Sequence, residues 1–332
     1  MYRTVGANRR IVDRDYSRLI CRTVYAPRHA QSGELIRGIR GMLAIPAPRT
    51  HVQASIDDMP LNTVQIGVSE VYDKVDRTRD LGSEYAISDS AGYLDLVAEH
   101  RLVPGIHRVS YSVANRKPVS ANLYTIPASA KVGIISDVDD TIMITQAPVP
   151  WKAAYNLLFL DPKKKASVPG MSVLFTRIAD LFPGAPFFYL STSPWNVESS
   201  IRNFITDHGF PEGPLLLRDL DPRPKTFVPT GPQHKLEFAE QLMADFPDMK
   251  FILVGDDGQK DPTTYATIAR RYPGRVLAIV IRELSPREST GLASVTGLTS
   301  TQPTPVTDVP VFTGTTGSNI LKTMLPYLKT VL

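Results

Sequence analysis

Five short apolar runs, each separated from the next by a polar or helical stretch, constrain this chain more than any other feature. They are VGIIS at residues 132–136, PFFYLS at 186–191, PLLL at 214–217, FILVG at 251–255 and VLAIVI at 276–281. A half-exposed strand alternates polar and apolar residues, whereas a run apolar throughout suits a parallel strand buried on both faces. Met171, Leu174, Phe175 and Ile178 recur at helical spacing, as do Val197, Ile201, Phe204 and Ile205. Leu236, Ala239, Met243 and Phe246 make a third such face, and Tyr265, Ile268, Ala269 and Tyr272 a fourth. Pro194 near one helix start, His208-Gly209 at its end and Pro262 at another start supply the punctuation. Repeated strand–helix alternation predicts an α/β fold, a doubly wound parallel sheet.

Upstream the texture differs. Residues 93–97 (YLDLV) follow the turn sequence DSAG, and residues 107–113 (HRVSYSV) alternate polar and apolar after Pro104-Gly105. They predict a small β-sandwich-like accessory domain over residues 35–128. A polar, basic extension over residues 1–34 precedes it, with one short helix around residues 14–22. The α/β domain is expected over residues 129–287. A tail over residues 288–332 is rich in Thr, Ser, Pro and Gly as far as Ser318, which reads as a linker or loose extension. Its end carries Ile320, Leu321, Met324, Leu325 and Leu328 at helical spacing and is expected to pack on the α/β domain.

Composition excludes some classes. The single cysteine, Cys21, allows neither an intrachain disulfide nor a cysteine metal cluster, and suits a reducing, cytoplasmic setting. The N-terminus has positive charges without an apolar core, so it does not read as a signal peptide. The longest apolar run, residues 276–281, is far short of a membrane span. A soluble or peripheral protein is expected. The formal charge of +4 reads as a slightly basic solvated surface, with no nucleic-acid partner implied.

In an open α/β sheet, ligands bind beyond the carboxyl ends of the strands. After the first run stands Asp137-Val138-Asp139-Asp140-Thr141. Carboxylates this close raise one another's pKa, and a divalent cation relieves the repulsion. Oxygen donors without His or Cys nearby favour Mg²⁺ over zinc. Taken alone, the cluster fits a helix-capping acidic loop equally well. The other strand ends break the tie. Ser191-Thr192-Ser193 ends the second run, and Gly255-Asp256-Asp257-Gly258-Gln259-Lys260-Asp261 ends the fourth. Lys235 lies near the start of the helix before that run and suits a phosphate charge. Each part has a structural reading as cap, turn or surface charge; all four in this order favour phosphoryl transfer.

This order resembles the haloacid dehalogenase superfamily of aspartate-nucleophile phosphotransferases. More narrowly, GIISDVDDT, FFYLSTSPWN, GPLLLRD, HKLEF and FILVGDDGQKDP are similar to the actin-patch phosphatidate phosphatase catalytic family. The resemblance covers residues 131–282, roughly half of the chain, and that family's small β-rich region upstream also fits. Asp257 departs from the pattern, which has a small residue there, and leaves open whether Asp256 or Asp257 binds metal. The resemblance implies that Asp137 is the nucleophile and forms an aspartyl-phosphate, with Asp139 as general acid and base. It implies Mg²⁺ held by Asp137, the backbone carbonyl of Asp139 and Asp256, with Ser191 and Lys235 on the phosphoryl oxygens. Asp261 would orient Lys235 or a metal-bound water; Thr141 and Asp140 would fix the loop.

Residues 142–169 and 219–232 are too short for a folded cap, so an open site and a large or surface-bound substrate are expected. Within the first stretch, Trp151, Tyr155, Leu157, Leu158, Phe159 and Leu160 precede Lys163, Lys164 and Lys165. Such a segment lies in an anionic lipid interface or packs as an amphipathic flap on its own core. With the resemblance, the expected substrate is a phospholipid phosphomonoester such as phosphatidate, converted to diacylglycerol and phosphate, with peripheral membrane contact through residues 151–165. A phosphatase of soluble metabolites or phosphoproteins is one alternative. A non-catalytic binding module is the other, disfavoured by the intact Asp137/Asp139 pair.

Overall fold

The computed structural model describes residues 2–3, 16–25, 45–61, 63–66, 86–88, 92–99, 102–127, 129–144, 166–218, 231–258, 260–285 and 307–331. The chain divides into two compact units, Met1–Ser129 and Ala130–Leu332. The expected interface segment, residues 151–165, and most of the second insertion point, residues 219–230, lie outside the described residues.

The first unit is β-rich. Its strands are β1 (Tyr2–Arg3), β2 (Tyr16–Arg22), β3 (His51–Ile56), β4 (Met59–Pro60), β5 (Thr63–Ile66), β6 (Ala86–Ile87), β7 (Tyr93–Glu99), β8 (Gly105–Ser112) and β9 (Val119–Thr125). Hydrogen bonding joins them in one path, β4-β3-β8-β9-β1-β2-β7-β5, with β6 on β3. Strand periodicity sets the inner face: β3 turns Val52, Ala54 and Ile56 inward, against Leu19, Leu94, Val109 and Leu123. The sequence predicts a helix around residues 14–22, and here the structure differs. Residues 16–22 form β2, paired with β7 along its whole length, and non-local pairing outweighs a short helical signal.

In the second unit all five apolar runs become strands of one parallel sheet. β10 (Val132–Ser136), β13 (Phe187–Pro194), β14 (Leu215–Arg218), β15 (Lys250–Asp256) and β16 (Val276–Arg282) are joined by β17 (Val311–Gly314), in the order β14-β13-β10-β15-β16-β17. A small antiparallel pair, β11 (Met143–Ile144) and β12 (Ala166–Ser167), stands apart. The helices are α1 (Met171–Leu181), α2 (Glu198–Asp207), α3 (Gly231–Asp245), α4 (Asp261–Arg271) and α5 (Gly317–Leu328). α1, α2 and α5 share a core with Ile134, Ile252, Val254 and Val280 of the sheet. The intervening Ile135, Leu253, Ile279 and Ile281 are buried outside that core, on the side of α3 and α4, where Phe188 meets Phe246 with ring centroids 5.5 Å apart.

The end of the tail is part of this unit. β17 pairs with β16 from Ile279↔Val311 to Arg282↔Gly314, and α5 buries Ile320, Met324 and Leu328. A Cβ on Gly317 would stand 2.2 Å from the Gly170 carbonyl oxygen, so only glycine allows α5 to start this close to α1. The strand order reverses direction at β10, whose neighbours are β13 on one side and β15 on the other. That switch point opens a crevice at the carboxyl ends of β10 and β15.

Candidate active site

The register brings the acidic loops together. β10 and β15 pair from Val132↔Lys250 to Ser136↔Val254, and the Asp137 amide donates to the Val254 carbonyl at 2.8 Å. Asp137 and Asp256 therefore leave adjacent strands side by side. Asp261, the first residue of α4, closes in from beneath because Gly255 has no side chain. A Cβ there would stand 2.4 Å from Asp261 Oδ2. Among the described residues, Asp137, Asp256 and Asp261 form one buried acidic group with carboxylate oxygens within 4.8 Å of one another.

Lys235, in the first turns of α3, enters this group. Its ammonium lies 2.8 Å from Asp137 Oδ1 and 2.5 Å from Asp261 Oδ1. Burial alone would pull the Lys235 pKa down, but Asp137, Asp261 and Asp256 outweigh it and the net shift is upward. Burial likewise pushes the Asp137 carboxyl up, to about 8; Lys235 opposes the shift, while Asp261 and Asp139 add to it. Asp256 is pushed well above its ordinary range, again first by burial. Three carboxylates against one ammonium leave two formal negative charges, a deficit one divalent cation cancels. The donors are all oxygen, the set a hard cation takes. Thr141 donates to Asp137 Oδ2 at 3.0 Å and lies 3.5 Å from Asp256 Oδ2, linking the two loops.

Among the described residues the acidic group includes Asp261, which the sequence reading has orienting Lys235 or a metal-bound water, and not the Asp139 side chain. The Asp261 oxygens face the Lys235 ammonium and, at 3.4 Å, the Asp256 amide, which suits a residue that orients the lysine. The half-buried Asp139 turns its carboxylate to β13, where Ser191 Oγ donates at 2.9 Å and Ser193 Oγ at 3.1 Å. Its side chain is thus held apart from the acidic group, and the backbone carbonyl is what it has to offer a cation. Ser191 has one hydroxyl proton, and here that proton goes to Asp139 rather than facing an open phosphate position. The Ser191 oxygen also accepts the Ser193 amide at 3.0 Å. Asp256 and Asp257 are distinguished as well. Asp256 faces Asp137, whereas Asp257 Oδ1 accepts the Leu284 amide at 2.8 Å.

The sequence reading names Ser193 at its strand end without giving it a role and does not place Arg282 in the site. Ser193 is detectable in principle, because residues two apart on a strand share a face with Ser191. Arg282 ends β16, is 3% exposed, and donates from Nη1 to the Asp140 carbonyl at 2.8 Å. A charged residue closing an apolar strand beside two acidic loops is the signal it leaves.

The geometry defines an α/β domain with an acidic, lysine-bridged site at the switch point of a parallel sheet. Residues 132–283 match the family described as the catalytic domain of phosphatidate phosphatase APP1. Over 211 residues the chain is 29% identical to Phosphatidate phosphatase APP1 of Saccharomyces cerevisiae, covering 61% of this chain and 35% of that protein. Over 176 residues it is 26% identical to Uncharacterized protein C29B5.04c of Schizosaccharomyces pombe, covering 52% and 29%. The chain thus spans about a third of the length of these relatives. A chain of the Pnkp1/Rnl/Hen1 complex, 16% identical, covers 47% of this chain and 50% of its own at a TM-score of 0.31, which carries no argument. The match to the APP1-like phosphatidate phosphatase catalytic domain thus takes in residues 132–283, just under half of the chain. Among the described residues, no helix is long and apolar enough to cross a membrane.

Proposed function

We propose that the protein is a Mg²⁺-dependent phosphatase of lipid phosphomonoesters, phosphatidate above all, working on a haloacid-dehalogenase-like scaffold through an aspartyl-phosphate on Asp137. The observation that carries this reading is the buried Asp137–Lys235–Asp261 bridge beside Asp256, at the switch point of the segment that matches the family.

Asp137, Asp256 and the Asp139 backbone carbonyl would hold Mg²⁺, which when bound neutralises charge on the phosphoryl oxygens and keeps Asp137 ionised. An Asp137 oxygen attacks phosphorus; the ester P–O bond breaks, and the leaving alkoxide takes a proton from the Asp139 carboxyl. Asp139, now a carboxylate, takes a proton from water as that water attacks the aspartyl-phosphate. Phosphate leaves and Asp137 is regenerated. Lys235 binds an equatorial oxygen, where transition-state charge is spread. Ser191 turns its proton from Asp139 to a second such oxygen, while Ser193 keeps hold of Asp139. Asp261 holds the Lys235 ammonium in place throughout.

The test is phosphate release with Mg²⁺, comparing phosphatidate in mixed micelles with soluble sugar, nucleotide and peptide phosphomonoesters. Phosphatidate should be turned over, and chelator should abolish the activity. Efficient turnover of a soluble ester with phosphatidate ignored would overturn the lipid assignment. No metal-dependent hydrolysis of any ester would leave a binding module.

A further inference from the structure

We propose that Arg282 is a positioning residue that locks the turn at residues 139–141 against the loop after β15, so that the acid/base carboxylate keeps its place relative to Asp137. This rests on the reading of Asp139 as acid and base. Arg282 stands in register with Asp256, as the last pair between β15 and β16. Its side chain crosses the end of the sheet to the Asp140 carbonyl, 142 residues away in sequence. Its own carbonyl accepts the Asp257 amide at 3.1 Å. One residue therefore ties down both loops that supply the carboxylates.

The turn it holds is sharply bent. Asp140 has φ 57°, a left-handed conformation that Asp tolerates better than most residues. The Asp140 amide donates to the Met143 carbonyl at 2.8 Å, and the Ile142 and Met143 amides both donate to Val138 at 3.1 Å. The peptide anchored by Arg282 lies directly between Asp139, aimed by Ser191 and Ser193, and Thr141, which bonds Asp137. Beyond Arg282, the Glu283 amide donates to Gly314 of β17 at 2.9 Å, so the anchor is itself fixed to the sheet edge. Releasing the turn shifts Asp139 most, because Asp137 stays tied to β15 through its amide on the Val254 carbonyl, and a displacement of about 1 Å costs on the order of 100-fold in rate.

The test compares wild type, R282M and R282K by hydrogen exchange of the metal-free protein and by kinetics on two esters. In R282M, exchange should rise in the peptides holding residues 139–143 and 257–258 and stay unchanged in α1 and β13. With an alkyl phosphomonoester, whose leaving group needs a proton, kcat should fall by about 10- to 100-fold at nearly constant KM. With a nitrophenyl ester the first-turnover burst of nitrophenolate should fall much less, since that step needs no proton from Asp139. R282K, a cationic donor on a long stem, should recover part of both effects. If R282M does not fold, R282K carries the test, with the same pattern at reduced size. Unchanged exchange in the two peptides overturns the proposal. So does a loss in the nitrophenolate burst as large as that in kcat on the alkyl ester, which would mark Arg282 as a structural residue. If the wild type hydrolyses neither ester, the proposed function fails, while the exchange pattern alone decides whether Arg282 locks the turn.

Discussion

Replacing Lys235 with Met removes the ammonium from the acidic group and keeps most of the stem's volume. Lys235, Asp137 and Asp261 have side chains 1–3% exposed, so water cannot take over the lost contacts. Removing one partner from a buried pair costs about 3–5 kcal/mol, since the remaining charges stay buried. The loss should depend on pH in a defined direction. In the metal-free fold burial pushes the Asp137 carboxyl up to about 8, against an ordinary value of 3.8. Between those values the folded state holds a proton that the unfolded chain has released. This contribution to stability is complete below about pH 4 and falls by about 1.4 kcal/mol per pH unit as pH rises toward 8. Without Lys235 the Asp137 carboxyl moves further up and keeps its proton to higher pH. Both proteins hold that proton below pH 8, so the deficit of the variant should be nearly level from pH 5 to 8 and grow above pH 8. Urea unfolding followed by far-ultraviolet circular dichroism, in chelator, reads this directly. With a slope of about 2–3 kcal/mol per molar urea, the midpoint should drop by about 1–2 M at pH 8. Saturating Mg²⁺ should restore part of the loss, since a ligand at 100 times its Kd contributes about 2.7 kcal/mol. Equal midpoints for the two proteins at pH 8, or a deficit that grows toward acid, would refute the charge balance described here.

Three further outcomes are expected. Asp139→Asn should slow turnover of an alkyl phosphomonoester by about 10²- to 10⁴-fold, whereas the first-turnover burst of nitrophenolate from a nitrophenyl ester should be slowed far less, as rapid-mixing kinetics would reveal. Gly255→Ala must push Asp261 and Tyr265 from contacts of 2.4–2.8 Å; thermal unfolding should report a loss of about 1–3 kcal/mol, with weaker Mg²⁺ activation because Lys235 loses its guide. Replacing Lys163, Lys164 and Lys165 with Gln should weaken binding to phosphatidate vesicles by about 1 kcal/mol per charge at low salt and spare hydrolysis of a soluble ester; equal loss of both in sedimentation and activity assays would make the segment a structural flap.

The α/β core was legible because its signals are local. An apolar run of five or six residues and a helical stripe each sit within one stretch of sequence, and they became β10, β13 to β16 and α1 to α4. The site was legible in part for the same reason: strand ends in an α/β sheet converge, so Asp137, Asp256, Asp261 and Lys235 could be grouped before their distances were known. Features decided by distant partners were not legible. β2 exists because residues 16–22 find β7, far along the chain. β17 exists because four residues of the Thr- and Pro-rich tail fit the open edge of β16. The engagement of Ser191 with Asp139 depends on how β13 continues past Leu190, where its register with β14 shifts before Pro194. That shift has no signature in a single sequence.

The most direct test of the central claim is chemical trapping of the phosphoenzyme. The Asp139→Asn variant is mixed with Mg²⁺ and a nitrophenyl phosphomonoester, whose departure needs no proton, so Asp137 should be phosphorylated and then wait for a water that has lost its base. Acid quenching, digestion and mass spectrometry should find a hydroxylamine-labile phosphoryl group on the peptide that carries Asp137, and Asp137→Asn should abolish both label and turnover. Label on another residue, or turnover that persists in Asp137→Asn, would contradict the account.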